Sequence, residues 1–282
     1  MQTVSQLDPL RIAVRALKSQ GALALVPTMG ALHDGHLTLV REAKRQAEHV
    51  AVSIFVNPRQ FGANEDLDKY PRQLEADSAL LRAEGVSLLW APTTATIYPS
   101  GYATSISVAG ISDGLCGAAR PGHFDGVATV VCKLFNQVRP DIALFGEKDW
   151  QQLAVIRRMA RDLDLIEPAA TRIIGVPTVR EPDGLAMSSR NAYLSAADRA
   201  AAAALPRSMR KAIAQLHDGV PLPAAAAELR SDLLAAGFRS VDYAEFRDAD
   251  SLTPLTVLDG SAARLFVAAR IGETRLIDNM AV

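Results

Sequence analysis

The sequence has few cysteines, no excess of charge of either sign and no long apolar run. Its two cysteines, Cys116 and Cys132, are too few for a disulfide framework or a four-thiolate zinc site, so we expect both to be reduced and partly buried. The 30 Lys and Arg residues nearly balance the 31 Asp and Glu residues. This charge balance gives no basic field for a general nucleic-acid binder and favours a small-molecule ligand.

Membrane-spanning and export signals are also missing. No uninterrupted apolar run approaches the roughly 18 residues that a transmembrane helix needs. Residues 1–10 have neither the basic region nor the apolar region of a signal peptide. We therefore expect a soluble, cytoplasmic protein without membrane or nucleic-acid partners. With 49% hydrophobic and 22% charged residues, the 282-residue chain has a globular composition and enough length for one or two domains.

Strands and helices are predicted to alternate over residues 1–178. The strands are short apolar runs at residues 22–26, 50–56, 86–90, 103–108, 142–145 and 172–176. The helices have apolar residues at helical spacing and cover residues 7–19, 36–48, 71–84, 124–138 and 150–163. This alternation implies right-handed crossovers. It predicts an α/β fold with a Rossmann-like, doubly wound, mostly parallel sheet.

A second, smaller α+β domain is predicted for residues 179–282. An alanine-rich helix at 195–216, a linker at 217–223 and a helix at 224–236 precede three strands. These strands are predicted at residues 241–247, 264–269 and 274–277. We expect the first domain to bind the ligand and the second to form a lid.

The loop after the first predicted strand is the first place to look for a ligand, because open α/β sheets bind ligands beyond the carboxyl ends of their strands. Residues 27–37 (PTMGALHDGHL) have the Gly30 and Gly35 spacing of a P-loop but lack its Lys and Ser or Thr. The backbone N–H groups of such a loop favour an anion, and His33 and His36 add donors. Either histidine alone could equally be held by backbone groups, and their spacing across a glycine disfavours metal ligation.

Polar side chains also follow other predicted strands. Asn57 and Gln60 could bind a small polar ligand, although an Asx turn explains them as well. Arg120 and His123 come just before a helix, where anions are favoured. Lys148, one of only six lysines, follows a strand, and a solvated ion pair is its alternative interpretation.

The string GLAMSSRN near the predicted domain boundary offers two hydroxyls and an arginine, from Ser188, Ser189 and Arg190. These groups could contact a polyphosphate or form a capped turn. Five motifs thus follow one another along the chain, in the order PTMGALHDGHL, FVNPRQF, ARPGHF, FGEKDWQQL and GLAMSSRN. Together they resemble the pantoate–β-alanine ligase (pantothenate synthetase) family over nearly the whole chain. The first motif is also similar to the His-x-Gly-His signature of a nucleotidyltransferase superfamily.

The resemblance implies an activity, its cofactors and an assembly. It implies ATP-dependent condensation of (R)-pantoate with β-alanine to pantothenate through a pantoyl adenylate, with release of AMP and pyrophosphate. The expected cofactors are ATP and Mg²⁺, the ion being held mainly by ATP phosphates with Asp77 as its candidate protein ligand. The family also implies a homodimer.

The resemblance further implies roles for single residues. His36 matches the catalytic proton donor, and we expect His33 and Lys148 to stabilise charge beside it. Gln60 and Gln152 match the pair that holds pantoate. The other expected substrate-binding residues are Asn57, Arg120 and His123. The expected ATP-binding residues are Met29, Gly30, Ala31, Leu32, His33, Asp34, Gly35, His36, Gly146, Glu147, Lys148, Asp149, Val179, Met187, Ser188, Ser189 and Arg190.

Two other functions fit parts of the pattern. The His-x-Gly-His loop alone would also serve an adenylyltransferase that acts on a phosphate-bearing acceptor. Against this, Gln60 and Gln152 lack the positive charge that such an acceptor requires. A non-catalytic ATP-sensing protein is the second alternative. It would not need two histidines and a lysine at the α-phosphate.

Overall fold

The computed structural model describes residues 1–62, 65–258 and 260–282. In chain order, the strands in this part of the chain are β1 (Gln2–Val4), β2 (Leu23–Thr28), β3 (His49–Ile54), β4 (Leu88–Trp90), β5 (Ile142–Gly146), β6 (Ile173–Val176), β7 (Ser240–Asp248), β8 (Ala263–Ile271) and β9 (Thr274–Ala281). The helices are α1 (Leu7–Lys18), α2 (Asp34–Gln46), α3 (Leu74–Ala83), α4 (Thr94–Ile97), α5 (Cys116–Ala119), α6 (His123–Val138), α7 (Trp150–Asp162), α8 (Ala196–Ala202), α9 (Ala204–His217) and α10 (Leu222–Ala235). Short 3-10 turns cover Pro58–Gln60, Glu147–Asp149, Ala170–Arg172 and Ser189–Tyr193.

The first sheet has six parallel strands in the order β1-β4-β3-β2-β5-β6. The strand order runs in one direction from β2 through β3 and in the other direction through β5. The crevice at the carboxyl ends of β2 and β5 is therefore the topological switch point, where such sheets bind ligands. The predicted doubly wound, parallel α/β fold is confirmed.

Alternating side chains of β2 supply two hydrophobic layers, because successive residues of a strand face opposite sides of the sheet. Leu23 and Leu25 pack into a cluster with α1, α6 and α7. Ala24 and Val26 pack on the other face with α2 and α3. Burial on both faces explains why this strand is a continuous apolar run in the sequence.

The second sheet is antiparallel, in the order β7-β8-β9. One face of β8, with Leu265 and Val267, packs on α9 and α10. The opposite face, with Phe266 and Ala268, joins the hydrophobic cluster of the first sheet. The predicted α+β segment is thus present and packs against the parallel sheet, while the boundary between residues 178 and 179 stays a prediction.

Two predicted elements differ from the structure, and one strand of the structure was not predicted. Residues 103–108 form no strand, and the N–H of Ile106 donates to the Thr129 hydroxyl on α6 at 2.9 Å. The helix predicted at 195–216 is two helices that meet at Ala203. The edge strand β1 was not predicted. Both cysteines are free and buried, and no helix of the described residues is long and apolar enough to cross a membrane.

Candidate active site

A cavity of about 240 Å³ opens at the carboxyl ends of β2 and β5. It is lined by residues from all five sequence motifs. Those among the predicted site residues are Met29, His33, Gly35, His36, Asn57, Gln60, Arg120, His123, Gly146, Lys148, Asp149, Gln152, Val179, Met187, Ser188, Ser189 and Arg190. Side chains from loops that lie far apart in sequence therefore converge on one space.

Five predicted ATP-binding residues lie outside this lining, namely Gly30, Ala31, Leu32, Asp34 and Glu147. The first three form the turn beneath the cavity. The side chain of Asp34 is exposed and forms an ion pair with Arg41 at 2.7 Å. Glu147 extends toward β6, where its carboxylate approaches the backbone at Gly175.

The loop after β2 is shaped by the buried carboxylate of Asp77. Gly30 and Ala31 have positive φ values of 84° and 52°, so consecutive N–H groups turn to the same side. The N–H groups of Ala31 and Leu32 donate to the two oxygens of Asp77, each at 2.9 Å. Asp77 is fully buried. Both oxygens of Asp77 are thus engaged by the loop, and Asp77 is not among the residues that line the cavity, so its role as a magnesium ligand stays a prediction.

His33 and His36 form a reciprocal cap at the start of α2. The Nδ1 atom of His33 accepts from the Gly35 N–H at 3.2 Å, and the Nδ1 atom of His36 accepts from the His33 N–H at 3.3 Å. Burial lowers the pKa of both residues, that of His36 to about 3, and neighbouring positive charge adds to the effect. Both rings are therefore neutral, with Nε2–H as the free donor. A neutral His36 donates a hydrogen bond without giving up its proton.

These pKa values predict that stability falls in mild acid. His36 and His123 have pKa values of about 3 and about 4 in the folded protein, against 6.5 when unperturbed. Below about pH 6.5 the unfolded chain binds more protons, so the free energy of unfolding should fall by up to about 1.4 kcal/mol per pH unit for each histidine. Urea denaturation between pH 7.5 and 5 measures this. The non-titrating variant His36→Asn should show a shallower fall, and an identical slope would contradict the assignment.

Lys148 projects from the 3-10 turn between β5 and α7. Its Nζ atom lies 3.7 Å from the Asp149 carboxylate, and only 19% of its side chain is exposed. The turn places this ammonium group across the cavity from the loop that follows β2. The β2–α2 and β5–α7 connections lie on either side of the topological switch point, so Lys148, His33 and His36 face the same cavity.

Gln60 is oriented by a chain of hydrogen bonds. The Tyr98 hydroxyl donates to Asn57 Oδ1 at 2.8 Å, and Asn57 Nδ2 donates to Gln60 Oε1 at 3.2 Å and to the Gly126 carbonyl at 3.0 Å. This leaves the amide nitrogen of Gln60 as the donor at the cavity, where it contacts Met29 Sδ at 2.9 Å. Burial raises the pKa of Tyr98 to about 12, so its hydroxyl remains a donor.

The variant Tyr98→Phe tests this chain. Losing the hydroxyl removes one of the two hydrogen bonds that Asn57 Oδ1 accepts, the other coming from the Arg59 N–H at 3.3 Å, and so loosens the Asn57 amide. We expect the KM for pantoate to rise about five- to tenfold, the value of about one hydrogen bond. The KM for ATP should stay within about twofold. Tyr102→Phe is the matched control, because Tyr102 packs on Tyr98 at 5.0 Å while its hydroxyl has no hydrogen bond within the described ranges. Equal effects of both variants would refute the chain.

Arg120 and His123 support the backbone of Gln60. His123 Nδ1 donates to the Gln60 carbonyl at 2.8 Å, and its Nε2 accepts from Arg120 at 3.0 Å. Arg120 also donates to that carbonyl at 3.2 Å and forms two hydrogen bonds to Glu65, at 2.7 and 2.6 Å. Burial and the Arg120 charge lower the pKa of His123 to about 4, which keeps its ring neutral.

The loop with Ser188, Ser189 and Arg190 forms another wall of the cavity. Arg190 makes two hydrogen bonds to Asp66, both at 2.9 Å, and the Ser189 hydroxyl lies 3.3 Å from that of Tyr70. The Ser188 hydroxyl caps the following 3-10 turn through the Arg190 N–H. This segment is therefore both a capped turn and part of the cavity wall.

Several lining residues were not predicted. The apolar side of α6 contributes Val127, Val130, Val131 and Leu134, and Tyr70 also lines the cavity. The spacing of the four α6 residues predicted a helix at 124–138 and gave no site residue on it. The unusual number of valines on one helix gives no signal that distinguishes a ligand-facing wall from core.

Among the described residues, no group of three or more His, Cys, Asp or Glu side chains is arranged to hold a metal ion. Any magnesium at this site would therefore be held mainly by ligand oxygens. This agrees with the usual behaviour of the ion, which binds few protein groups in nucleotide sites.

The chain is similar to known proteins over almost its whole length. The family model described as "Pantoate-beta-alanine ligase" matches residues 2–281. A protein named pantothenate synthetase from Novosphingobium aromaticivorans is 68% identical, with 100% of this chain and 99% of that protein covered.

Solved structures give the same result. The crystal structure of pantothenate synthetase from Thermus thermophilus has a TM-score of 0.89 at 46% identity, with 99% of each chain covered. A pantoate–β-alanine ligase from Francisella tularensis, complexed with beta-gamma ATP and beta-alanine, has a TM-score of 0.84 at 34% identity. This match covers 100% of the present chain and 97% of the other. The chain belongs to the pantoate–β-alanine ligase family.

Proposed function

We propose that the protein joins (R)-pantoate to β-alanine at the expense of ATP, giving pantothenate, AMP and pyrophosphate through a pantoyl adenylate. The observation that carries this is the convergence of Lys148, His33 and His36 on one cavity that Gln60 and Gln152 also line. The charged lysine suits the phosphates of ATP, and the neutral glutamine amides suit the carboxylate and hydroxyls of pantoate. The family membership and the ligands of the Francisella relative support the same reaction.

ATP is assigned to the half of the cavity between the loop after β2 and the loop with Ser188, Ser189 and Arg190. The ring N–H groups of His33 and His36 and the hydroxyls of Ser188 and Ser189 suit phosphate oxygens. Magnesium would accompany the phosphates and neutralise part of their charge. Its involvement should appear as loss of turnover with EDTA and recovery with added Mg²⁺.

Pantoate is assigned to the half of the cavity next to α6. Gln60 and Gln152 are neutral donors, and within the described part of the chain no hydrogen bond engages the Gln152 amide. They suit a carboxylate and hydroxyls that must stay reactive, whereas a cation would bind the carboxylate more tightly and weaken it as a nucleophile. Val127, Val130 and Val131 form an apolar wall beside them that suits the two methyl groups of pantoate.

The first half-reaction follows from this arrangement. A carboxylate oxygen of pantoate attacks the α-phosphorus of ATP, and the bond from that phosphorus to the bridging oxygen breaks to release pyrophosphate. Lys148 and the Nε2–H group of His36 donate to the phosphoryl and leaving oxygens, where negative charge grows. His33 shares this role.

The second half-reaction uses the mixed anhydride. The unprotonated amine of β-alanine attacks the acyl carbon, the acyl–oxygen bond breaks, and AMP leaves with the electron pair. The released proton goes to solvent or to AMP. The donors that stabilised pyrophosphate then face the leaving phosphate of AMP.

Omission of single substrates tests the function. AMP and pyrophosphate are followed in mixtures of ATP, Mg²⁺, pantoate and β-alanine, with each acid left out in turn. We expect no AMP release without pantoate and only slow release without β-alanine. Turnover that is independent of pantoate would refute the ligase. Adenylyl transfer to a phosphorylated acceptor, or ATP binding without turnover, would identify one of the alternatives.

We also propose that the protein is a cytoplasmic homodimer. The family membership supports both statements. Sedimentation velocity at micromolar concentration is expected to give twice the 30.1 kDa mass of the chain, and a monomer would refute the assembly.

A further inference from the structure

The second sheet reaches the turn that carries Lys148. Asn279, on β9, is buried with 3% exposure. Its Nδ2 atom donates to the backbone carbonyl of Glu147 at 2.9 Å and to that of Lys148 at 2.8 Å. Both protons of one amide thus bind consecutive carbonyls of the same short turn.

The orientation of this amide is fixed from its other end. Asn279 Oδ1 accepts a hydrogen bond from Arg264 on β8, and the Arg264 guanidinium stacks over the Trp150 ring at 3.6 Å. Trp150 in turn donates from Nε1 to the Ala249 carbonyl at 2.8 Å. With its oxygen held by a guanidinium, the amide can present only its nitrogen to the turn.

A neighbouring residue of β9 forms a second tie to the parallel-sheet side of the cavity. Asp278 has a fully buried side chain and accepts two hydrogen bonds from Arg180, at 2.7 and 3.0 Å. Arg180 follows Val179, which lines the cavity. Two adjacent residues of β9 therefore hold two separate segments of the cavity wall.

Lys148 depends on this support. Among the described residues, the one carboxylate in ion-pair range of its ammonium group is that of Asp149, at 3.7 Å, and four rotatable bonds connect this group to the backbone. The backbone of the turn sets where this flexible side chain starts, and therefore which part of the cavity the ammonium group can reach. A displacement of about 1 Å at a charge-stabilising group can cost about a hundredfold in rate.

We propose that Asn279 is a positioning residue for adenylate formation, which acts through Lys148 by holding the carbonyls of Glu147 and Lys148. The inference rests on the proposed function, because it requires Lys148 to act on the phosphates. It assigns the second sheet a direct part in the first half-reaction. Asn279 itself touches no reacting atom.

The variants Asn279→Asp and Asn279→Ala test this. The aspartate keeps the size of the side chain and its bond to Arg264 but presents an acceptor to two carbonyls, so both variants should lose function. We expect kcat for pantoate-dependent pyrophosphate exchange to fall about 10- to 100-fold, while the KM values for ATP and pantoate stay within about threefold. A role in packing or in the Arg264 contact alone would leave Asn279→Asp active.

A double-mutant cycle distinguishes positioning from general damage. In a Lys148→Ala background, Asn279→Ala should cause little further loss, because the group that it positions is gone. Additive losses would overturn the inference. Arg239→Ala is the control next to the same sheet, because Arg239 immediately precedes β7, its side chain is exposed, and among the described residues that side chain pairs only with Glu273 at the surface.

The outcome also separates this inference from the proposed function. Wild-type protein without pantoate-dependent exchange would refute the ligase itself. Normal wild-type exchange together with unchanged kcat in Asn279→Asp would refute only the positioning role. Unfolding curves for each variant show whether a variant with a lower kcat is still folded.

Discussion

Replacing Lys148 with alanine is expected to lower pantoate-dependent pyrophosphate exchange by about a hundredfold or more. The expectation follows from the geometry, because this ammonium group is the cation that faces the two neutral histidines across the cavity. Removing one well-placed donor from a site that stabilises developing charge typically costs about 3 to 4 kcal/mol. The effect should fall on kcat, since the charge that Lys148 meets grows in the transition state.

Lys211→Ala is the matched control for this change. Lys211 is half exposed and pairs with Glu228 and Asp232 on the surface, each at 2.7 Å. Its loss should leave exchange unchanged. Exchange near the wild-type rate in Lys148→Ala would show that the lysine is only a bystander, and a matching fall in stability would point to a folding defect.

Replacing Gly126 with alanine is the second change with a large expected effect. Gly126 lies on the side of α6 that touches the 3-10 turn Pro58–Gln60, and an added Cβ would lie 2.7 Å from the Gln60 nitrogen and closer still to the Arg59 carbonyl. Backbone atoms cannot swing aside as a flexible side chain can, so helix and turn must separate. The Gly126 carbonyl would also move away from the Asn57 amide that it binds.

We expect the Gly126→Ala variant to lose about 3 kcal/mol or more of unfolding free energy. The better helix propensity of alanine, worth about 1 kcal/mol, offsets only part of this loss. Pantoate affinity measured by calorimetry should fall at least about tenfold, because Gln60 moves with the turn. Gly62→Ala is the control, because among the described residues its added Cβ would meet only the Glu65 side chain, at an ordinary contact distance of 3.7 Å or more. Unchanged affinity and stability in Gly126→Ala would refute this packing argument.

The order of the larger elements could be predicted from the sequence because each has its own hydrophobic period. The helix over Trp150–Asp162 and the strand over Ile142–Gly146 were predicted to within one residue at each end. The strand β1 was missed because three residues carry almost no period, and its pairing with β4 supplies the information. The run at 103–108 alternates like a strand, yet its Ile106 N–H donates to the Thr129 side chain on α6 and not to a neighbouring strand.

The candidate site could be predicted where its residues follow strands in recognisable motifs. Lys148, His33 and His36 were found in this way, because the carboxyl ends of parallel strands share one edge. Contacts between residues that lie far apart in the sequence leave no local sequence pattern from which they could be predicted. The contact of Asp77 with the loop after β2 was not predicted, and neither was a role for Asn279, which lies 131 residues from the carbonyl that it binds.

The paired arginines of the cavity have a consequence for how a highly charged nucleotide can bind. Among the described residues that line the cavity, the cations are Arg120, Lys148 and Arg190, and each has a carboxylate within 4 Å, at 2.6, 3.7 and 2.9 Å. With its histidines neutral, this wall is close to electroneutral and offers no surplus cation to a bare triphosphate. The nucleotide must therefore bring its own counterion. Long-range electrostatic attraction should contribute little to its rate of entry.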